Sequence, residues 1–416
     1  MSLHSISPRW IRVNRARAIA RRVTSGGATL VLLLLAACGD SSGPDGGGPG
    51  PDGGGGGATL SGTVRAAGSA AALGDATVSI GARQATSDAE GRYELTDLPT
   101  GATTVRAERP GYMPAEAAIT ITAGANSHDF TLTPQDIYVF GTNAVYVPAG
   151  VGPMRAAIVV LGGPVASGFV TGERLAPADA PPDLEPGLQA LGAGLRALAR
   201  SARVALLGSK TTGMGNSITS DNALFQALRT AAQMSGHPEL ADAPVLMFGL
   251  SGGGPEAAGL ASRHPERAVG LLVRVPSDVT ALTASAALAV PTFVMQAELD
   301  EVVDNTRVRT TFSGNRSRGG LWALAVEPAV GHRVASTLGN GVAISWITTA
   351  LELRLPTTSG EPLIALDEPS GWLGNPTTLE IAPWAEYPGD RSAASWLLSE
   401  SAATSWKDLG TPAGLD

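Results

Sequence analysis

Ala243-Pro244-Val245-Leu246-Met247-Phe248-Gly249-Leu250-Ser251-Gly252-Gly253-Gly254 is the stretch on which the reading of this 416-residue chain turns. Its first half is continuously apolar, as in a strand covered on both faces. A glycine turn follows, and then the start of a helix. Ser251 stands at the tip, inside a Gly-x-Ser-x-Gly string. Glycines on both sides leave room for a strained backbone at Ser251, in a turn that would expose its hydroxyl. Gly253 and Gly254 extend the string and read as a tight turn in uncrowded surroundings. A chain with 53 glycines produces such strings by chance, so a sheet, a base and an acid must be found elsewhere.

Working outward, apolar strands alternate with helical stretches. Ile137 to Val147 reads as an entry strand or hairpin, followed by strands at Arg155 to Leu161, Arg203 to Leu207, Val269 to Val273, Pro291 to Gln296 and Leu321 to Val326. Helices are expected at Glu185 to Arg200, Asp221 to Gln233 (with Asp221 as N-cap), Gly252 to about Arg263, Asn305 to Phe312 and Gly341 to Leu353. Val165 to Asp183 reads as a long loop. The pattern predicts a mainly parallel, doubly wound sheet with helices on both faces.

The serine string falls after the third strand counted from Arg155. In that setting the stretch resembles the nucleophile elbow of the α/β-hydrolases, and residues 135–355 resemble that superfamily in order as well as motif. The resemblance implies a Ser-His-Asp triad. Of five histidines, His4 falls in an N-terminal sorting segment and His128 in an N-terminal β-domain. His237 is in a loop before the elbow strand, and His264 ends the elbow helix. His332, a few residues beyond the last strand, is where the family carries its base. The acid loop of the family resembles Ala297-Glu298-Leu299-Asp300-Glu301-Val302-Val303, which assigns Asp300 to orient the imidazole. Glu298, Glu301 and Asp278 are rivals. The oxyanion hole falls to Gly252 and, in Gly162-Gly163-Pro164-Val165, to Gly163 or Val165, since Pro164 has no N–H. Leu161 stands where the family often shows a histidine.

Arg9, Arg12, Arg15, Arg17, Arg21 and Arg22 precede a short apolar run from Ala28 to Ala37, the pattern of a signal peptide over residues 1–37. Leu35-Ala36-Ala37-Cys38-Gly39 resembles a bacterial lipobox, implying lipid on Cys38, the chain's single cysteine, and a place in the cell envelope facing the periplasm or exterior. No thiol then remains for redox or nucleophilic chemistry. Removing those six arginines leaves 23 basic residues against 37 acidic, a net charge of −14, which argues against nucleic acid as a partner. Residues 38–57 are almost only Gly, Ser, Pro and Asp and read as a flexible tether.

Residues 58–134 carry short β-branched runs with turns between them, predicting a small all-β sandwich. Ser61-Gly62-Thr63-Val64, Ser87-Asp88-Ala89-Glu90-Gly91-Arg92-Tyr93, Leu98-Pro99-Thr100-Gly101 and Pro110-Gly111-Tyr112 resemble the carboxypeptidase regulatory-like family, which implies a spacer, stability or surface-binding module. Asp88 and Glu90 suggest calcium ligands at first sight, but the Asp and Gly of this stretch read instead as closing a hairpin turn. Residues 356–416 hold Trp372, Trp384, Trp396 and Trp406, four of seven tryptophans. They are expected to pack the extension onto the hydrolase body, with an aromatic wall over the site as the other reading. Only some fifteen residues separate Val273 from Pro291, so no large lid is expected there.

The resulting expectation is a lipid-anchored serine hydrolase of carboxylic esters, small or polymer-borne, with no metal or organic cofactor. A peptidase or amidase with the same triad, and a non-catalytic surface-binding lipoprotein, are the alternatives.

Overall fold

The computed structural model describes residues 57–173, 182, 184–209, 217–333 and 335–410. The signal segment, Cys38 and nearly all of the tether lie outside them.

The central element is an eight-stranded sheet. Its strands are β1 (Ile137–Phe140), β2 (Asn143–Tyr146), β3 (Ala156–Leu161), β4 (Val204–Ser209), β5 (Val245–Leu250), β6 (Ala268–Arg274), β7 (Thr292–Ala297) and β8 (Trp322–Glu327). They lie in the order β1-β2-β4-β3-β5-β6-β7-β8. Strands β3 to β8 are parallel, and the β1–β2 hairpin joins β4 antiparallel, Asn143 opposite Ser209. This is the α/β-hydrolase arrangement.

Along β5 the side chains alternate between two cores. Leu246 and Phe248 pack with α1 (Ala166–Thr171), α2 (Leu184–Ala202) and α6 (Thr337–Arg354). Val245 and Met247 pack with α3 (Ile218–Ser235), α4 (Gly253–Arg263) and α5 (Asn305–Arg316). Each of these four side chains is fully buried, worth about 1.5–3 kcal/mol apiece. The sheet therefore has no wet face, which is why its strands read as unbroken apolar runs.

Two expectations are corrected. The stretch after β3 is not all loop, because α1 is wedged against β4. Gly208 permits this, since a side chain there would overlap the carbonyl of Ala166. Asp221 is not a helix cap. Helix α3 starts earlier, capped by Ser217, whose side chain accepts from the Ser220 amide. Asp221 is instead fully buried, accepting from Arg263 Nε at 2.6 Å and Nη2 at 3.0 Å and lying 3.1 Å from His264 Nε2. It locks α3 to the end of α4.

N-terminal to the sheet, two small sheets form a sandwich around Leu60, Val64, Val78, Tyr93, Val105 and Leu132. Asp88 closes a turn, its carboxylate accepting the Arg92 amide at 2.7 Å and its carbonyl the Gly91 amide at 2.9 Å. The sandwich meets the body where the Gly111 amide donates to the Met234 carbonyl at the end of α3. After α6 the chain forms a three-stranded sheet and α7 (Glu400–Gly410). Trp396 and Trp406 are buried, and Trp372 and Trp384 half-buried. Trp406 Nε1 donates to the Leu324 carbonyl at 2.7 Å, and Ser395 Oγ bonds both the amide and carbonyl of Leu324. The extension thus lies along β8, the sheet's edge.

Candidate active site

The parallel strands β3 to β8 all end at one edge of the sheet, and three loops there converge. The turn after β5 presents Ser251 at φ +50°, a left-handed backbone costing about 1–3 kcal/mol in a residue other than glycine. Hydrogen bonds hold it there. The Ser251 amide donates to the Arg274 carbonyl at 3.0 Å, and the Ser251 carbonyl accepts the amides of Gly254 and Ser277.

The glycines of the turn are explained by crowding, not by open surroundings. A Cβ on Gly249 would lie 2.7 Å from the Gly253 carbonyl oxygen, and one on Gly254 would lie 2.5 Å from Pro276 Cβ. A Cβ on Gly253 would overlap the Leu161 carbonyl. Gly252 alone among them faces open space. It stands immediately before α4, with helical φ −58° and ψ −18°. The close backbone contact brings the loop after β3 alongside the turn. In that loop Gly163 opens a single 3-10 turn at φ +63°.

His332 lies in the loop after β8. Its Nε2 is 2.8 Å from Ser251 Oγ. Its Nδ1 is 2.9 Å and 3.1 Å from the two carboxylate oxygens of Asp300, in the loop after β7. Between two acceptors Nδ1 must carry the proton, which leaves Nε2 as an acceptor for the serine hydroxyl. The Asp300 side chain is fully buried and that of His332 is 10% exposed. Burial pushes the Asp300 carboxyl up. The hydrogen bond from His332 and the amides of Val303 and Val302 outweigh it and hold the carboxyl below the usual range.

The rivals for the acid have other partners. Glu298 accepts the Ala329 amide at 2.8 Å, and Glu301 lies 3.5 Å from the His332 amide. Both therefore hold the backbone of the histidine loop. Asp278 accepts from Thr280 and pairs with Arg307 at 2.9 Å. Of the other histidines, His237 is 2.8 Å from Glu239, and His264 bonds Asp221. Among the described residues no three His, Cys, Asp or Glu gather as a metal ion would require, and no helix is long and apolar enough to cross a membrane.

Residues 59–133 match the family model of the carboxypeptidase regulatory-like domain. No curated protein matches the chain. A solved chain of a type II cohesin–X-dockerin complex from Acetivibrio cellulolyticus is 23% identical with a TM-score of 0.18, over 19% of this chain and 60% of its own length, less than two thirds. A cold-adapted esterase from an Arctic intertidal metagenomic library is 13% identical with a TM-score of 0.36, covering 50% of this chain and 87% of the esterase. A thermostable esterase is 13% identical with a TM-score of 0.34, over 65% and 90%. Likeness this low transfers no activity to the chain.

Proposed function

We propose that this chain is a serine hydrolase that cleaves carboxylic esters through an acyl-enzyme. The observation that carries the reading is the continuous line of hydrogen bonds from Ser251 Oγ through His332 to buried Asp300. It supports the following sequence of steps. Ser251 Oγ attacks the ester carbonyl while His332 Nε2 takes the hydroxyl proton. Asp300 keeps its negative charge, fixes the tautomer and stabilises the imidazolium. The amides of Gly252 and Gly163 are assigned to the tetrahedral oxyanion. The C–O bond to the leaving alcohol then breaks as His332 returns the proton to it. Water, deprotonated by the same histidine, attacks the acyl-serine; the bond from the acyl carbon to Ser251 Oγ breaks, His332 returns the proton to Oγ, and the acid leaves.

In this reading the enzyme is tethered to the cell envelope through lipid on Cys38, faces the periplasm or exterior, and takes a small or polymer-borne ester. The experiment is fluorophosphonate labelling of the folded full chain, together with hydrolysis of short-chain aryl esters and matched aminoacyl amides. Labelling at Ser251 with faster turnover of esters is expected. A Ser251→Ala protein as active as wild type would overturn the mechanism, and preference for amides would move the enzyme to the peptidases. Incorporation of labelled fatty acid that survives Cys38→Ser would overturn the anchor.

A further inference from the structure

The loop that carries His332 starts at Glu327, the last residue of β8, and ends at Ser336, the N-cap of α6. One carboxylate joins the two ends. Ser336 Oγ donates to Glu327 Oε1 while accepting the Gly339 amide at 2.9 Å. Glu327 Oε2 accepts from Arg274 Nη2 at 3.3 Å, and Arg274 Nη1 donates to Asn340 Oδ1 at 2.7 Å. Asn340 Nδ2 continues to the Gly187 carbonyl in α2 at 2.8 Å. The side chains of Arg274 and Glu327 are 5% and 7% exposed. The cluster also shapes its neighbours. A Cβ on Gly339 would lie 2.7 Å from Arg274 Nη2 and 2.8 Å from Glu327 Oε2.

The same Arg274 reaches the other half of the site through its backbone, since its carbonyl accepts the Ser251 amide at 3.0 Å. One residue therefore grips the serine turn with its main chain and the histidine loop with its side chain. A buried ion pair is a weak source of stability. Desolvation of both charges offsets their attraction, and apolar replacements of similar volume often fold as well or better. Stability alone gives little reason for charges at these two strand ends.

We propose that the Arg274–Glu327 pair, with Ser336, positions His332 against Ser251 for the reaction. The inference rests on the serine-hydrolase reading of those two residues. Neither charge touches the reacting atoms, so both are positioning residues. The leverage is geometric, because displacement of a reacting group by about 1 Å costs on the order of 100-fold in rate.

The test uses the full chain. Arg274→Met with Glu327→Leu replaces the pair by apolar groups. The expected protein melts at or above the wild-type temperature, keeps KM for an aryl ester within about 2-fold, and loses on the order of 100-fold in kcat and in the fluorophosphonate labelling rate. Ser336→Ala removes the hydrogen bond that closes the loop while leaving both charged side chains in place, and a fall in kcat that Ser336→Thr restores is expected. A folded double variant with kcat within about 2-fold of wild type overturns the inference and leaves the hydrolase reading standing. Should the double variant not fold, an unaltered kcat in Ser336→Ala overturns it equally. A wild-type protein that the probe does not label removes the hydrolase reading, and this inference with it.

Discussion

The carbonyl of Leu161 occupies the space that a Cβ on Gly253 would need. The end of β3 and the first turn of α4 are therefore in backbone contact. That contact sets the loop containing Gly163 beside Ser251, and it makes two adjacent glycines unequal.

Gly253→Ala should force β3 and α4 apart, with a large loss of stability and of labelling at Ser251. Gly252→Ala meets nothing within 4 Å at a helical φ, so it should fold with a stability gain of up to about 1 kcal/mol. Urea unfolding of the two variants checks the contrast. Equal stabilities would contradict the packing of the turn.

Ser251 is held in its left-handed backbone by main-chain hydrogen bonds to Arg274, Gly254 and Ser277. Ser251→Ala should leave stability nearly unchanged and abolish ester hydrolysis, because the strain remains. Ser251→Gly should also be inactive yet about 1 kcal/mol more stable than Ser251→Ala, since glycine adopts φ +50° freely. Thermal melts of the three proteins measure the order.

The Asp300 carboxyl is held below its ordinary range in the folded protein. Its contribution to stability is therefore fully present above the ordinary carboxylate pKa of about 4 and is lost as pH falls through the lower folded value. Asp300→Asn should cost most near neutral pH and progressively less in acid. Denaturation curves for both proteins at pH 7 and near pH 3 give the difference directly; one that grew on acidification would reverse the sign. At neutral pH the same variant should lose most of its kcat, on the order of 10⁴-fold, as expected for the wrong tautomer.

Asp278 is engaged by Thr280 and Arg307, whereas Asp300 holds the imidazole. Asp278→Asn should retain kcat within about 2-fold, whereas Asp300→Asn does not. Steady-state kinetics on one aryl ester separates the two aspartates.

Trp406 fills a buried site against β8. Trp406→Ala should destabilise by about 3–5 kcal/mol while leaving kcat nearly intact in protein kept well below its melting temperature. Equilibrium unfolding and kinetics on the same sample check both halves.

What the sequence made legible was local. The run Val245 to Leu250 and the glycines after it need only their own neighbours to be recognised, and Asp300 sits one turn beyond a strand among aliphatics. The readings that failed depend on contacts distant along the chain. Asp221 looks like a cap because its true partners, Arg263 and His264, lie 42 and 43 residues away. Gly253 looks like slack because Leu161, which crowds it, belongs to another strand. Arg274 and Glu327 went unread for a simpler reason. The expected strands stopped at Val273 and Val326, one residue short of each charge, where the observed strands include them. A charge closing an apolar strand is the signal that would have pointed to the pair.

The shielding of β8 by Ser395 and Trp406 also has a consequence for the order of events during synthesis. A ribosome adds Leu324, in β8, 71 residues before Ser395 and 82 residues before Trp406. Through that interval the edge strand offers open amides and carbonyls to any passing strand. The loops carrying Ser251, Asp300 and His332 can be in place before the fold is sealed, and sealing waits for α7.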